Sequence, residues 1–181
     1  MSEGSHGGIP PTQRVVDAAA GKGVTLEVRE FATPTRTAGD AAAALGVELG
    51  QIVKTLVFVV SRADGSLEAL IALVSGSNRV DLERLAAATG RACVRRANAG
   101  EARELTGFVI GGIPPFGYPR ALPVIMDPDL GRFPVVWAAA GTPTTVFPLP
   151  PATLRLLTNA RVAPIREEPG PAPRAPPPPR T

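Results

Sequence analysis

A mixed α+β domain, with a largely antiparallel sheet flanked by helices, is the fold class that the sequence predicts. Three observations carry that prediction. Segments with strand-like alternation and segments with helix-capping residues are interspersed along the chain. Two long apolar segments are separated by Ala63-Asp64-Gly65-Ser66, which has the chemistry of a hairpin turn. The spacing is too irregular for repeated strand–helix–strand units, which argues against a doubly wound sheet.

The elements follow in order. Thr12 to Ala20 is expected as a helix, stopped by Gly21 and Gly23. Thr25 to Phe31 alternates and reads as a strand. Thr37, with Asp40 three residues on, caps a second helix that ends before Gly46. Gln51 to Val60 and Leu67 to Ser75 form the hairpin. Asp81 caps a third helix ending before Gly90, and Arg91 to Arg95 is a short strand. Asn98 and Glu101 open a fourth helix that ends at Gly107. Phe108 to Ile110, Val124 to Met126 and Val135 to Ala139 read as short strands, Pro150 to Leu157 as a last helix, and Val162 as a final short strand.

The chain has 181 residues, enough for one domain over 12–168, with a leader over 1–11 and a tail over 169–181. The tail has seven prolines in thirteen residues and is expected to be extended and solvated. Hydrophobic residues make up 44% but aromatics only 4%, so the core must come mainly from Ala, Val, Leu and Ile. The one cysteine, Cys93, excludes an internal disulfide framework and reads as a small buried hydrophobe. Together with an N-terminus lacking an apolar stretch, it points to the cytoplasm. Runs such as Ala69 to Val74 are too short to span a bilayer, so no membrane partner is expected.

The net charge of +3 falls to +1 once Arg174 and Arg180 of the tail are set aside, leaving 17 basic against 16 acidic residues. Charge therefore permits RNA binding without arguing for it, and there is no basic block. The single histidine, His6, lies in the Gly/Ser-rich leader. That argues against a Ser-His-Asp triad, a Cys-His pair or a histidine-bound zinc. No G-x-G-x-x-G or P-loop sequence is present. No metal and no organic cofactor is expected.

The most informative stretch is Ile52-Val53-Lys54-Thr55-Leu56-Val57-Phe58-Val59-Val60. Alternation puts Lys54 on the face of Ile52, Leu56, Phe58 and Val60. An unpaired ammonium buried there would cost several kcal/mol. Lys54 must therefore reach water, pair with a carboxylate, or face a cavity that receives an anion. Seventeen of the 19 basic residues are arginine, so a lysine here is a marked choice. Next in interest is Gly111-Gly112-Ile113-Pro114-Pro115-Phe116-Gly117, where two glycines leave amides open and two prolines stiffen the chain. Such a loop can hold a carbonyl or a developing oxyanion, or it can be an ordinary tight turn. Small residues at Ser75 to Asn78 and Ala138 to Pro143 can line a small pocket or simply pack tightly.

Taken in order, these segments resemble the YbaK-type editing deacylases and the related insertion domain of bacterial prolyl-tRNA synthetase. The resemblance rests on Ile52 to Phe58, Val80-Asp81-Leu82 opening a helix, Thr106-Gly107, Gly111 to Pro115, and Ala139-Ala140-Gly141-Thr142-Pro143, and covers roughly Val15 to Ala163. It implies a mixed sheet partly curled into a barrel, and hydrolysis in trans of mischarged aminoacyl-tRNA, with tRNA for proline carrying a small wrong amino acid as substrate. It implies that Lys54 is essential, that the amides of Gly111 and Gly112 orient the ester carbonyl, and that Thr55 shapes the pocket. Pro114, Pro115, Ala140, Gly141 and Thr142 are the further expected substrate contacts. The implied partners are the acceptor end of tRNA and prolyl-tRNA synthetase, with no DNA. The alternative, a non-catalytic module of the same fold that binds tRNA or an aminoacylated ligand, stays open, because a fold does not fix chemistry.

Overall fold

Five helices and eight strands occupy residues 8–170, the part of the chain described by the computed structural model. The helices are α1 (Pro11–Ala20), α2 (Ala38–Leu45), α3 (Leu82–Thr89), α4 (Ala99–Thr106) and α5 (Pro151–Thr158). The strands are β1 (Arg29–Glu30), β2 (Val53–Ser61), β3 (Leu67–Ser75), β4 (Val94–Arg96), β5 (Val124–Met126), β6 (Val136–Ala139), β7 (Thr145–Leu149) and β8 (Arg161–Val162). The expected leader and tail lie mostly outside the described residues, at 1–7 and 171–181. Pro11, placed in the leader by its sequence, is the first residue of α1.

Local chemistry sets the helix starts. The Thr37 hydroxyl accepts from the Asp40 amide at 3.1 Å while the Asp40 carboxylate accepts from the Thr37 amide at 3.0 Å. Asn98 and Glu101 repeat this reciprocal cap on α4, and the Asp81 carboxylate accepts from the amides of Glu83 and Arg84 on α3. Each such cap stabilises by roughly 1 kcal/mol.

The central hairpin pairs β2 with β3 from Val53–Ser75 to Ser61–Leu67. Around it runs a five-stranded mixed sheet in the order β4-β2-β3-β5-β8, in which β5 and β8 are parallel additions. A second, antiparallel sheet has the order β1-β7-β6 and touches the first at a parallel bridge between Ile52 and Trp137. The expected single sheet is thus two sheets, and neither closes into a barrel among the described residues. The reason is local: β6 pairs with this edge only through Ile52, just before β2, so the ladder that would close the barrel stops after one residue.

The main core lies between these sheets and α1, α4 and α5, with Val57, Ile71, Leu73, Phe116, Phe147 and Leu154 inside it. The opposite face of the hairpin packs Phe58, Leu70, Val74 and Ile165 against Leu85 of α3. Asp127, fully buried, ties the C-terminal segment to this sheet: its carboxylate accepts from the amides of Asp129, Ile165 and Arg166, each at 3.0 Å.

Several expectations need correction. Of Thr25 to Phe31 only Arg29–Glu30 forms a ladder, with Val146 and Thr145 of β7; Leu26 and Val28 pack on the core without strand pairing. Phe108 to Ile110 is not a strand. The Phe108 amide bonds back to the Thr106 hydroxyl, and the Gly112 amide closes a turn on the Val109 carbonyl. β4 begins at Val94 rather than Arg91, since Cys93 has a φ of 56° and turns the chain; Cys93 is exposed, not buried. Neither β7 nor the 3-10 turns Leu49–Gln51 and Pro128–Arg132 were expected.

Candidate active site

β2 carries a break in its pairing. On one edge it is bonded to β3 throughout. On the other it meets β4 only at Phe58 to Val60, and β6 only at the Ile52–Trp137 bridge. No strand pairs with residues 53–56 on this edge. The Val57 carbonyl accepts there from Ala97, while the Ile52 carbonyl points to the opposite edge and accepts from Gly76. By alternation, the backbone N–H and C=O of Thr55 face the open edge.

A cavity of about 250 Å³ occupies this break. Val53, Thr55, Val57, Ile113 and Ala138 line its interior, and Arg36, Lys54, Arg96, Ile110 and Gly111 also border it. Its size is at the lower end of small-molecule sites, which run from about 300 Å³ upward. No histidine or carboxylate lines it among the described residues.

Lys54 is partly buried at this site. Its ammonium donates to the backbone carbonyl of Asn78, in the loop between β3 and α3. It therefore takes none of the three routes open to it in sequence terms in full. It has no carboxylate partner among the described residues, and a carbonyl dipole alone compensates its charge. Burial, followed by the charges of Arg79 and Arg96, pushes its pKa below the ordinary lysine value. The Asn78 amide donates to Asp129 at 2.9 Å, and Asp129 pairs with Arg166 at 2.9 Å, so the loop that holds Lys54 is itself anchored.

Thr55 presents its side chain on the cavity face, and its hydroxyl is buried with no hydrogen-bond partner in the protein. Buried hydroxyls are rarely left so.

The glycine–proline loop divides into two parts. Gly111 borders the cavity with a φ of 94°, a conformation that glycine adopts without strain. Gly112 is buried behind it. A Cβ there would lie 2.5 Å from the Thr142 carbonyl carbon, so glycine is needed for close approach. Its amide is used by Val109, so the expected pair of free amides is reduced to Gly111. Pro114, Pro115, Ala140, Gly141 and Thr142 do not line the cavity. Thr142 packs against Gly112 of the loop and shares hydroxyl contacts with Thr145 at 2.7 Å and Thr144 at 3.2 Å. Tyr118 braces the same loop by donating to the Pro114 carbonyl at 2.6 Å, and burial raises its pKa.

Sequence reading missed Arg36, Arg96, Trp137, Ile110 and Tyr118. Trp137 and Tyr118 are the only residues of their kinds, and their uniqueness in an aromatic-poor chain was the available signal. Nothing in the sequence brings Arg36 or Arg96 to Lys54.

A lysine without a counter-ion, beside a glycine–proline loop at a small cavity, defines an α+β domain equipped for a small ligand with an anionic or carbonyl end. The chain belongs to the aminoacyl-tRNA editing domain family, whose model matches residues 32–157. It is 29% identical over 129 residues to a protein of Enterococcus faecalis provisionally named Cys-tRNA(Pro)/Cys-tRNA(Cys) deacylase EbsC, covering 71% of this chain and 76% of that one. It is 36% identical over 85 residues to the multifunctional Ser/Thr-tRNA deacylase ProXp-y of Escherichia coli K12, covering 47% of this chain and 50% of that protein. Among solved structures, one provisionally described as a trans-editing enzyme for prolyl tRNA synthetase superimposes with a TM-score of 0.80 at 46% identity, over 88% of this chain and 99% of that one. No helix among the described residues is long and apolar enough to cross a membrane.

Proposed function

We propose that this protein is an aminoacyl-tRNA deacylase that acts in trans on tRNA for proline carrying a small wrong amino acid, and that the cavity beside Lys54 is its editing pocket. The observation that carries this reading is a single one. In a chain of the editing family, a partly buried lysine with no counter-ion among the described residues meets a cavity sized for a small side chain.

The chemistry is ester hydrolysis. The Gly111 amide orients the ester carbonyl and stabilises the oxyanion that forms on it. Such a donor is worth about 3 kcal/mol in related acyl-transfer sites. Lys54 holds the terminal ribose-phosphate end. Water attacks the carbonyl carbon, the bond to the ribose oxygen breaks, and that oxygen leaves with a proton as the free hydroxyl. No histidine or carboxylate lines the cavity among the described residues, and Lys54 acts in its charged form, so the proton passes through water or through the substrate's own hydroxyl. Thr55 offers its backbone groups at the open edge and a hydroxyl without a protein partner. The cavity excludes large side chains by size; discrimination by a single methylene is only about 1–3 kcal/mol. Prolyl-tRNA synthetase is the expected source of the mischarged substrate and the candidate docking partner.

The test is deacylation of proline tRNA charged separately with alanine, 2-aminobutyrate, serine, cysteine and proline. Release of at least one wrong amino acid with proline spared is expected. A folded protein that releases none of them overturns the reading and leaves binding without catalysis in its place.

A further inference from the structure

Several arginines have no carboxylate partner among the described residues, and three of these lie at or beside the cavity. Arg95, on β4, is held by Glu101 at 2.7 Å, and Arg91 by Glu68 at 2.6 Å. Arg62, Arg84, Arg132 and Arg166 are likewise paired with carboxylates. Arg36, Arg79 and Arg96 are exposed, and none has a carboxylate within 4.0 Å among the described residues. The nearest acid in sequence to Arg36, Asp40, spends its carboxylate on the backbone amides of Arg36 and Thr37.

Two of these, Arg79 and Arg96, act on Lys54, and Arg36 lines the same cavity. Arg96 lines the cavity, and its guanidinium carbon lies 5.9 Å from the centre of the Phe58 ring, on the strand that carries Lys54. Arg79 follows Asn78, whose carbonyl receives the Lys54 ammonium, and the charges of Arg79 and Arg96 both act on Lys54. Arg36 lines the cavity from the start of α2. The neighbouring carboxylates, Asp40 and Asp129, are bonded to other groups, so an anionic ligand relieves the mutual repulsion of these four cations. Three of them are arginines, whose planar donors suit phosphate oxygens.

We infer that Arg79, Arg96 and Arg36 form a phosphate-holding rim that grips the backbone of a single-stranded RNA end and feeds its terminal ester into the cavity beside Lys54. The inference rests on the editing reading for the identity of that RNA. Cavity and rim divide the work: the cavity sorts the amino acid, and the rim holds what every substrate shares. The three arginines are therefore positioning residues, not catalytic ones.

The test separates binding from chemistry. The ligand is an uncharged, fluorescently labelled RNA hairpin with a single-stranded 3′ overhang, titrated with the full chain at several salt concentrations. Wild type, Arg79→Gln, Arg96→Gln and the double variant are compared, with Arg79→Lys and Arg96→Lys as charge-keeping controls and Arg155→Gln as a control on α5. For single strands each phosphate contact contributes about 0.7 to the slope of log K against log salt. Each Gln variant is expected to lower the slope by about that amount, with the Lys variants and Arg155→Gln near wild type. On aminoacylated substrate, KM rises several-fold while kcat is kept. A double variant with the wild-type slope, or equal binding of a blunt hairpin, overturns the inference. Normal RNA binding without deacylation sinks the editing reading and leaves the rim standing.

Discussion

The ammonium of Lys54 donates to the carbonyl oxygen of Asn78, and no carboxylate joins them. A salt bridge would have satisfied the lysine more fully and left it nothing to offer a ligand. A neutral carbonyl orients the side chain while leaving its charge available.

Replacing Lys54 with methionine keeps the apolar stem and removes the charge. Deacylation is expected to fall by at least about 100-fold, of the order seen when one electrostatic donor is removed from an acyl-transfer site. Stability at neutral pH is expected to hold or rise. The pKa of Lys54 in the folded chain lies below its unfolded value, so the protonated lysine costs stability below the folded pKa, and that cost fades as pH rises through it. Urea denaturation of both proteins across pH checks this: the advantage of the variant should shrink in alkaline solution.

The same shift predicts an alkaline limb in the activity profile. If the charged form works, the rate corrected for spontaneous ester hydrolysis should decline at a pH below the ordinary lysine range. A rate still flat at that range would contradict the role of the ammonium.

Gly112→Ala places a methyl 2.5 Å from the Thr142 carbonyl carbon and 2.9 Å from the Pro143 nitrogen, both backbone atoms. The loop must shift, at a cost of about 1–3 kcal/mol. Because Gly111 moves with it, deacylation should fall more than RNA binding does. Thermal melting, RNA titration and single-turnover rates separate the two effects.

Thr55→Val removes a buried hydroxyl that bonds to nothing in the protein. Stability should change by less than about 1 kcal/mol or improve. A loss of deacylation larger for serine than for alanine esters would place the hydroxyl against the substrate side chain, whereas equal loss for both would place it elsewhere.

Asp127→Ala strands the amides of Asp129, Ile165 and Arg166. Loss of bonds to a buried carboxylate should cost about 2–4 kcal/mol, read as a lowered denaturation midpoint.

Much of this was legible in the sequence because it is local. The caps at Thr37, Asp81 and Asn98 use residues within three positions of each other, and the turn at Ala63 to Ser66 announces the central hairpin. Lys54 stood out because a charge interrupts an apolar strand. β7 was hidden by Pro148, which looks like a strand breaker but pairs with Trp137 on one side only, beyond the reach of β1 on the other. What was not legible is non-local. The gap in the β2 ladder depends on where β4 and β6 stop, and the arginine rim on loops far apart in sequence. The carbonyl that receives Lys54 belongs to Asn78, and a backbone oxygen leaves no mark on composition or pattern. Gly112 was read as an open amide because glycine marks both exposed backbone and close packing, and only the approach of Thr142 tells the two apart.

The most direct test of the account is single-turnover hydrolysis of alanine- and serine-charged proline tRNA by wild type and by Lys54→Met, beside correctly charged proline tRNA. The account predicts release of at least one wrong amino acid by wild type, sparing of the proline ester, and loss of that release in a variant that melts no lower than wild type. Equal rates in the two proteins, or loss only in a variant that has unfolded, would contradict it.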